Sequence, residues 1–258
     1  SVDQATDDGT TPLFVACDYG HIEVVKVLLA CDAIDVNKAE TDQGATPLYN
    51  ACYYGYIEVT KALLACDSID VNTATTDTGE TALYTACDHG FTTVVKTLLA
   101  CDGIDVNKAR TDGGGPPLYA ACAEGHAGAV KLLLAHDGIE VNKARTDNGT
   151  NPLWAACQEG QTEIVKLLVA HNDIDVNAAR TLDNVTPLYA ACDRGHADII
   201  RVLLADGRAD IHQPETDHGM TPLHVAALTN HPLAAQLLVV YGANMVTGDN
   251  DGDTPAQL

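Results

Sequence analysis

The chain has 258 residues, with 36 Asp or Glu against 14 Lys or Arg, a formal charge of −22 with His neutral. That field repels phosphate backbones and anionic lipid heads, which argues against nucleic-acid and membrane-surface binding and for a protein partner with a basic or mixed-charge surface. Apolar residues make up 46%, ordinary for a folded chain, and no apolar run approaches the roughly 18 residues of a membrane span.

Taken in chain order, one unit recurs. Its proline position falls at Pro12, Pro47, Ala82, Pro117, Pro152, Pro187 and Pro222, each 35 residues after the last, with a further start at Pro255 after 33. A fixed period in this range predicts a stack of small supersecondary units, each stable only against its neighbours. We expect one elongated domain over residues 1–258, with seven repeats starting near 11, 46, 81, 116, 151, 186 and 221. A partial eighth would begin at 254, and by register with Val36 and Asn37 the first residues fall inside a loop hairpin. Both ends read as cut from something longer.

The period from Thr46 to Glu80 serves as the pattern. Thr46 can cap a helix, and Pro47 suits its first turn, where a missing N–H costs nothing. Leu48, Ala51 and Cys52 share the i, i+3, i+4 spacing of a buried face, and Gly55 offers the left-handed residue that ends a helix. Asn230 stands at this glycine position in the seventh repeat. A second helix is predicted from Ile57 to about Cys66, with Ile57, Leu63 and Leu64 inward. Glu58 and Lys61 sit on its solvent side, as do Glu23/Lys26, Glu163/Lys166 and Asp198/Arg201 in their repeats. Ile69-Asp70-Val71-Asn72 and a polar tip ending in Asp77-Thr78-Gly79-Glu80 then predict a projecting loop. Pro116 in place of the capping Thr and Ala82 in place of the Pro predict weaker helix starts, a capping change costing ~1 kcal/mol.

Nine cysteines form two columns at the repeat period: Cys17, Cys52, Cys87, Cys122, Cys157 and Cys192, then Cys31, Cys66 and Cys101. Column mates on packed helices lie beyond disulfide reach, so they read as free, small buried groups in a reducing compartment, cytoplasmic or nuclear. His136 and His171 continue the second column, one per repeat and too sparse for a ligand cluster. No activated thiol, phosphate loop or paired-cysteine metal motif appears. Asp249-Asn250-Asp251-Gly252-Asp253 is like a calcium loop but lacks its bidentate Glu, and it occupies a loop tip. We therefore assign no catalytic, cofactor or metal residue.

The Gly-x-Thr-Pro-Leu start, Ala-Cys-x-x-Gly-His, and Val-x-Leu-Leu followed by Asp-Val-Asn resemble the ankyrin repeat over nearly the whole chain. Against its usual length of about 33 residues, one residue is added after the second helix and one in the tip. Tyr, Trp or Phe mostly replaces its His, Cys replaces an Ala, and His224 is the family-like histidine. The resemblance implies an all-α fold, an α-solenoid of helix-loop-helix repeats with projecting β-hairpin loops. It also implies a non-catalytic scaffold that meets partners on its concave side, through loop tips and outward residues of the first helices. The alternative is a regulatory or spacer array of a larger enzyme, channel or secreted effector without its own partner.

Variation among the internal copies then selects candidate partner-binding residues. The pair before the helix-ending glycine supplies Tyr19, Tyr53, Tyr54, Asp88, His89, Glu124, Glu159, Asp193 and Arg194; the tyrosines either anchor a partner or cover apolar surface. A loop column running Glu40, Thr75, Arg110, Arg145, Arg180, Glu215 places three arginines in register, near Lys108 and Lys143. These could grip a partner's acidic or phosphorylated groups, or pair internally with Asp112, Asp147 and Asp183. The column Phe14, Tyr49, Tyr84, Tyr119, Trp154, Tyr189 reads as packing between repeats. Asn37, Asn72, Asn107, Asn142 and Asn177 read as ties within the loops. We expect a monomer.

Overall fold

A computed structural model describes residues 4–258, so the hairpin expected for residues 1–3 lies outside the described residues. Seven short helices form one layer: α1 Pro12–Asp18, α3 Pro47–Tyr53, α5 Ala82–Asp88, α7 Pro117–Ala123, α9 Pro152–Gln158, α11 Pro187–Asp193 and α13 Pro222–Leu228. The second layer holds α2 Ile22–Leu29, α4 Ile57–Leu64, α6 Thr92–Leu98, α8 Ala127–Leu134, α10 Thr162–Val169, α12 Ala197–Asp206 and α14 Pro232–Val240. Each helix packs on its partner and on the same helix of adjacent repeats, which makes a two-layer solenoid.

Local chemistry starts each first helix. Thr11, Thr46, Thr81 and Thr186 accept the N–H of the residue three ahead at 3.1 Å, and Asn151 does so at 2.8 Å. Thr81 caps α5 although Ala82 replaces the proline, while Pro116 leaves α7 with no side-chain cap. In the seventh repeat His224 is fully buried, takes the Thr221 N–H on Nδ1 at 3.1 Å, and holds Nε2 3.1 Å from the Asp253 carbonyl.

Leu48, Leu83, Leu118, Leu153 and Leu188, with the cysteines four residues on, fill the seam between first helices. The ending glycine does two jobs. Gly90 has φ +71°, and a Cβ there would stand 2.4 Å from the His126 ring of the next repeat. Asn230 adopts the same left-handed turn at φ 57°.

Four expectations need correction. The second helix of the pattern repeat stops at Leu64 with Ala65 as its cap, so Cys66 lies outside it. Cys31, Cys66 and Cys101 are only half-buried, lying 3.6–3.8 Å from the carbonyl four residues back, unlike the fully buried first column. The loops are tight turns rather than two-stranded hairpins. Backbone bonds such as Glu40 N–H to Ala45 O and Arg145 N–H to Thr150 O close them, and one isolated bridge, Ala74 to Thr81, is the sole strand-like pairing among described residues. The chain turns into a helix immediately after each tip, which leaves no length for a ladder. Pro255–Gln257 likewise form a turn, not a helix, with the Gln257 side chain accepting from Thr254.

Asparagines brace adjacent loops. Asn107 donates to the Gly138 carbonyl at 2.8 Å and accepts from the Glu140 N–H at 2.9 Å, and Asn37, Asn72, Asn142 and Asn177 repeat this across their own junctions. On the outer face Lys26–Glu23, Lys61–Glu58 and Arg201–Asp198 pair within one helix. Glu163 instead reaches Lys131 of the preceding repeat at 3.4 Å.

Candidate functional site

The two residues before each ending glycine have different fates. The last helical residue, as in Asp18, Asp88 and Asp193, stays half-buried, whereas the cap residue, as in Tyr19, Tyr54, His89, Glu124, Glu159 and Arg194, points outward. Tyr53 breaks the pattern: it is 39% exposed although it ends α3, and with Tyr19 at 64% and Tyr54 at 46% it opens a ring surface to solvent. Asp18 and Asp88 therefore serve the rings' setting rather than the outermost surface. Asp18 accepts from the Asn50 amide at 2.9 Å, and burial raises the Asp88 carboxyl pKa.

The rings form a connected patch. Tyr53 meets Tyr54 edge-on at 5.0 Å, His89 at 4.7 Å and Tyr49 at 6.1 Å between centroids. Behind each outward ring stands a second one from the residue after the glycine: His21 behind Tyr19, Tyr56 behind Tyr54 and Phe91 behind His89, at 5.7–5.9 Å. The selection of candidates from the sequence missed His21, Tyr56 and Phe91. Their signal was available, since this position is also a column at period 35, continued by His126, Gln161, His196 and His231. In later repeats the histidines of this column also bond back to the preceding repeat, His126 Nε2 lying 2.9 Å from the Asp88 carbonyl and His196 Nε2 3.2 Å from that of Gln158.

Beside this patch, between loop tips and first helices of repeats 1 and 2, lies a groove of about 400 Å³. Asp8, Asp18, Glu40 and Asp42 line it together with Phe14, Tyr49, Tyr53 and Tyr54, and no basic residue does. Glu40 accepts the N–H groups of Asp42, Gln43 and Ala45 at 2.6–2.9 Å, so its carboxylate closes the tip. The Asp18 charge, chiefly, raises the Tyr54 phenol pKa, which locates a negative potential at this rim. The Tyr49 hydroxyl donates to Glu80 at 2.7 Å, anchoring the groove floor to the next loop.

The arginine column is internally occupied. Arg110 bonds Asp112 and also Glu80 at 2.9 Å, Arg145 holds Asp147 at 2.5 and 3.0 Å, and Arg180 holds Asp183. Each guanidinium also lies over a first-helix ring: Arg110 over Tyr84 at 5.6 Å, Arg145 over Tyr119 at 5.5 Å and Arg180 over Trp154 at 5.4 Å. Hydrogen bonding by these arginines holds the Asp112, Asp147 and Asp183 carboxyls below the usual range. Lys108 and Lys143 are engaged too, with the Asn72 carbonyl at 2.7 Å and Glu140 at 3.3 Å. The basic stripe of the sequence is thus engaged within the solenoid, each arginine by at least one carboxylate.

A second groove of about 440 Å³ runs along repeats 5 to 7, and its charge is mixed, with Arg180, Arg194 and His218 among Asp183, Asp193, Glu215 and Asp217. Arg194 stands 3.8 Å from Asp193. The buried Trp154 Nε1 has no hydrogen-bond partner. The residue matching Glu80, the acceptor for Tyr49, is here Val185.

Nucleophilic chemistry finds no support in the cysteines, since burial pushes the Cys17 and Cys52 thiols up to about 12 and the rest of that column upward too. Among described residues no group of His, Cys, Asp and Glu could hold a metal ion. In the calcium-like loop Asp249 accepts the N–H groups of Asp251 and Asp253 at 2.9–3.0 Å.

The model of a unit of three ankyrin repeats matches the chain in overlapping registers, residues 1–75, 34–110, 69–145, 108–180, 140–215 and 177–249. No curated protein matches significantly. Among solved structures, the human ASB11 ankyrin repeat domain is 26% identical with a TM-score of 0.75, over 91% of this chain and 99% of that one. The ankyrin repeat domain of Bcl-3, a member of the IkappaB protein family, is 26% identical with a TM-score of 0.77, over 90% of this chain and all of that one. With the family model spanning almost its whole length and its two-layer solenoid shared with these domains, the chain belongs to the ankyrin repeat family.

Proposed function

We propose that this chain is a non-catalytic scaffold that binds a partner protein on its concave side, along the groove between the loop tips and the row of first helices. Ankyrin repeat domains generally mediate protein–protein interactions. The observation that carries the reading here is the ring patch of Tyr19, Tyr53, Tyr54 and His89, open to solvent and backed by His21, Tyr56 and Phe91. Large rings braced from behind bury much area on binding and lose little side-chain freedom, as binding anchors require. The Asn braces between loops keep the groove preformed, which lowers the entropic cost of association.

The net charge of −22 favours a partner with a basic or mixed surface. Nine free, mostly buried thiols favour a reducing compartment, cytoplasm or nucleus. The scaffold acts as a monomer, with Glu124, Glu159 and Arg194 extending the contact row into later repeats.

Photo-crosslinking in cells from position 54, followed by mass spectrometry, tests this. A protein captured there, and lost when Tyr53 is changed to Ala, is the expected result. Capture of the same proteins from Lys61 on the outer helix face would overturn the reading.

A further inference from the structure

The solenoid builds one kind of cation site three times and leaves it open once. In the built version a first-helix ring is followed 26 residues later by an arginine and two or three residues after that by an aspartate. Tyr84, Arg110 and Asp112 make the first, Tyr119, Arg145 and Asp147 the second, Trp154, Arg180 and Asp183 the third. The guanidinium lies 5.4–5.6 Å from the ring centre and is held by the carboxylate. In repeat 1 the same register reads Phe14, Glu40, Asp42: ring and aspartate are present, and the arginine is replaced by an acid.

Two features set this place apart from the others that lack arginine. Repeat 2 offers Tyr49, whose hydroxyl already binds Glu80, and a buried Thr75 in the arginine position. Repeat 6 offers Tyr189, Glu215 and Asp217, but its groove already contains Arg180, Arg194 and His218. The groove over Phe14 has four carboxylates and no cation in its lining, and Tyr53 and Tyr54 stand beside it.

We infer that this groove receives an arginine side chain from an extended basic segment of the partner, completing from outside the ring–guanidinium–carboxylate arrangement that the chain fills itself in repeats 3 to 5. The guanidinium lies over the Phe14 and Tyr49 rings and donates to Asp42 and Asp18, while Tyr53 and Tyr54 cover its aliphatic stem. A planar guanidinium suits this place better than an ammonium, because it stacks on a ring and forks onto a carboxylate together. The inference rests on the scaffold reading and narrows it.

The probe is a fluorescein-labelled Gly/Ser peptide with three spaced arginines, compared with its lysine and citrulline counterparts by fluorescence anisotropy at physiological ionic strength. The arginine peptide should bind several-fold tighter than the lysine peptide, and citrulline should abolish binding. Asp18→Asn with Asp42→Asn should weaken the arginine peptide about tenfold, the size of a lost charge-assisted bond. Asp217→Asn in the second groove should leave it unchanged. Failure of the arginine peptide to bind, equal affinity for arginine and lysine, or an equal loss from Asp217→Asn would overturn the inference; the last two would mean attraction to the overall acidic field. A Tyr54 crosslink to a partner segment without arginine would also overturn it while leaving the scaffold reading intact, whereas the absence of any captured partner would remove the scaffold reading.

Discussion

The loop tip of repeat 1 and those of repeats 3 to 5 solve the same backbone problem with opposite charges. A tight turn leaves several N–H groups without backbone acceptors. In repeat 1 Glu40 takes three of them directly, as Glu215 does in repeat 6 with Asp217, His218 and Met220 at 2.6–3.0 Å. In repeats 3 and 5 the acceptor moves onward to Asp112 and Asp183, which take the Gly114 and Val185 N–H groups at 3.1 and 3.3 Å, and an arginine neutralises each aspartate from behind. Since either device closes the turn, this column's charge is free to set the surface. In repeat 1 the acidic form leaves the groove beside Phe14 negative, with no basic residue in its lining, while in repeats 3 to 5 the arginine lies over the ring and offsets the aspartate charge.

The strongest test of that contrast removes the rings on the open side. Tyr53→Ala with Tyr54→Ala should lower affinity for the captured partner by about a hundredfold or more, the range of interface hot spots. Unfolding stability should fall by no more than about 1 kcal/mol, since neither ring belongs to the buried core, Tyr53 being 39% and Tyr54 46% exposed. Calorimetric titration beside a denaturant melt checks both halves.

Converting one device into the other comes next. Glu40→Arg, with Asp42 retained, should place a guanidinium over Phe14 and close the groove from within. Arginine-peptide binding should then fall about tenfold while stability stays within about 1 kcal/mol. A large loss of stability would show that Glu40 is indispensable to its turn and that the two devices are not equivalent.

The reverse change is milder. Arg180→Ala uncovers Trp154 and strips Asp183 of its partner, so we expect a loss of about 1 kcal/mol with peptide affinity unaltered. Reduced affinity in that variant would place Arg180 in the binding surface after all.

The smallest effect is in acid. The Asp183 carboxyl is held below its ordinary value, mainly by Arg180. A depressed folded-state pKa contributes stability that is present above the unfolded pKa near 3.9 and is lost as pH falls through the folded value. Arg180→Gln should therefore flatten the decline in urea midpoint below about pH 4, and an unchanged acid limb would show that the pair adds nothing measurable.

Much of this was legible from residues alone because repeat chemistry is local. Thr46, Pro47 and Gly55 each act within a few positions, so helix starts and stops follow from residue type. The arginine column shows the limit. Its residues and their candidate acids were both visible, but whether Arg110 faces a partner or Asp112 depends on side-chain direction across the tip, which no period reports. The ring patch was half visible for the same reason: Tyr53 and Tyr54 stand out as an unusual pair, whereas Phe91 and Tyr56 were passed over, because only the stacked repeats set them behind the outward rings.

By itself, the sequence determined the period, the helix pairs, the buried cysteine column and the solenoid, all of which follow from contacts between one repeat and the next. Only the tertiary structure decided which charges remain available. Pairing energies of exposed ions are small and depend on geometry at the level of an ångström. The same acidic and basic letters therefore became a neutralised stripe in repeats 3 to 5 and an open, negative, ring-lined groove in repeats 1 and 2.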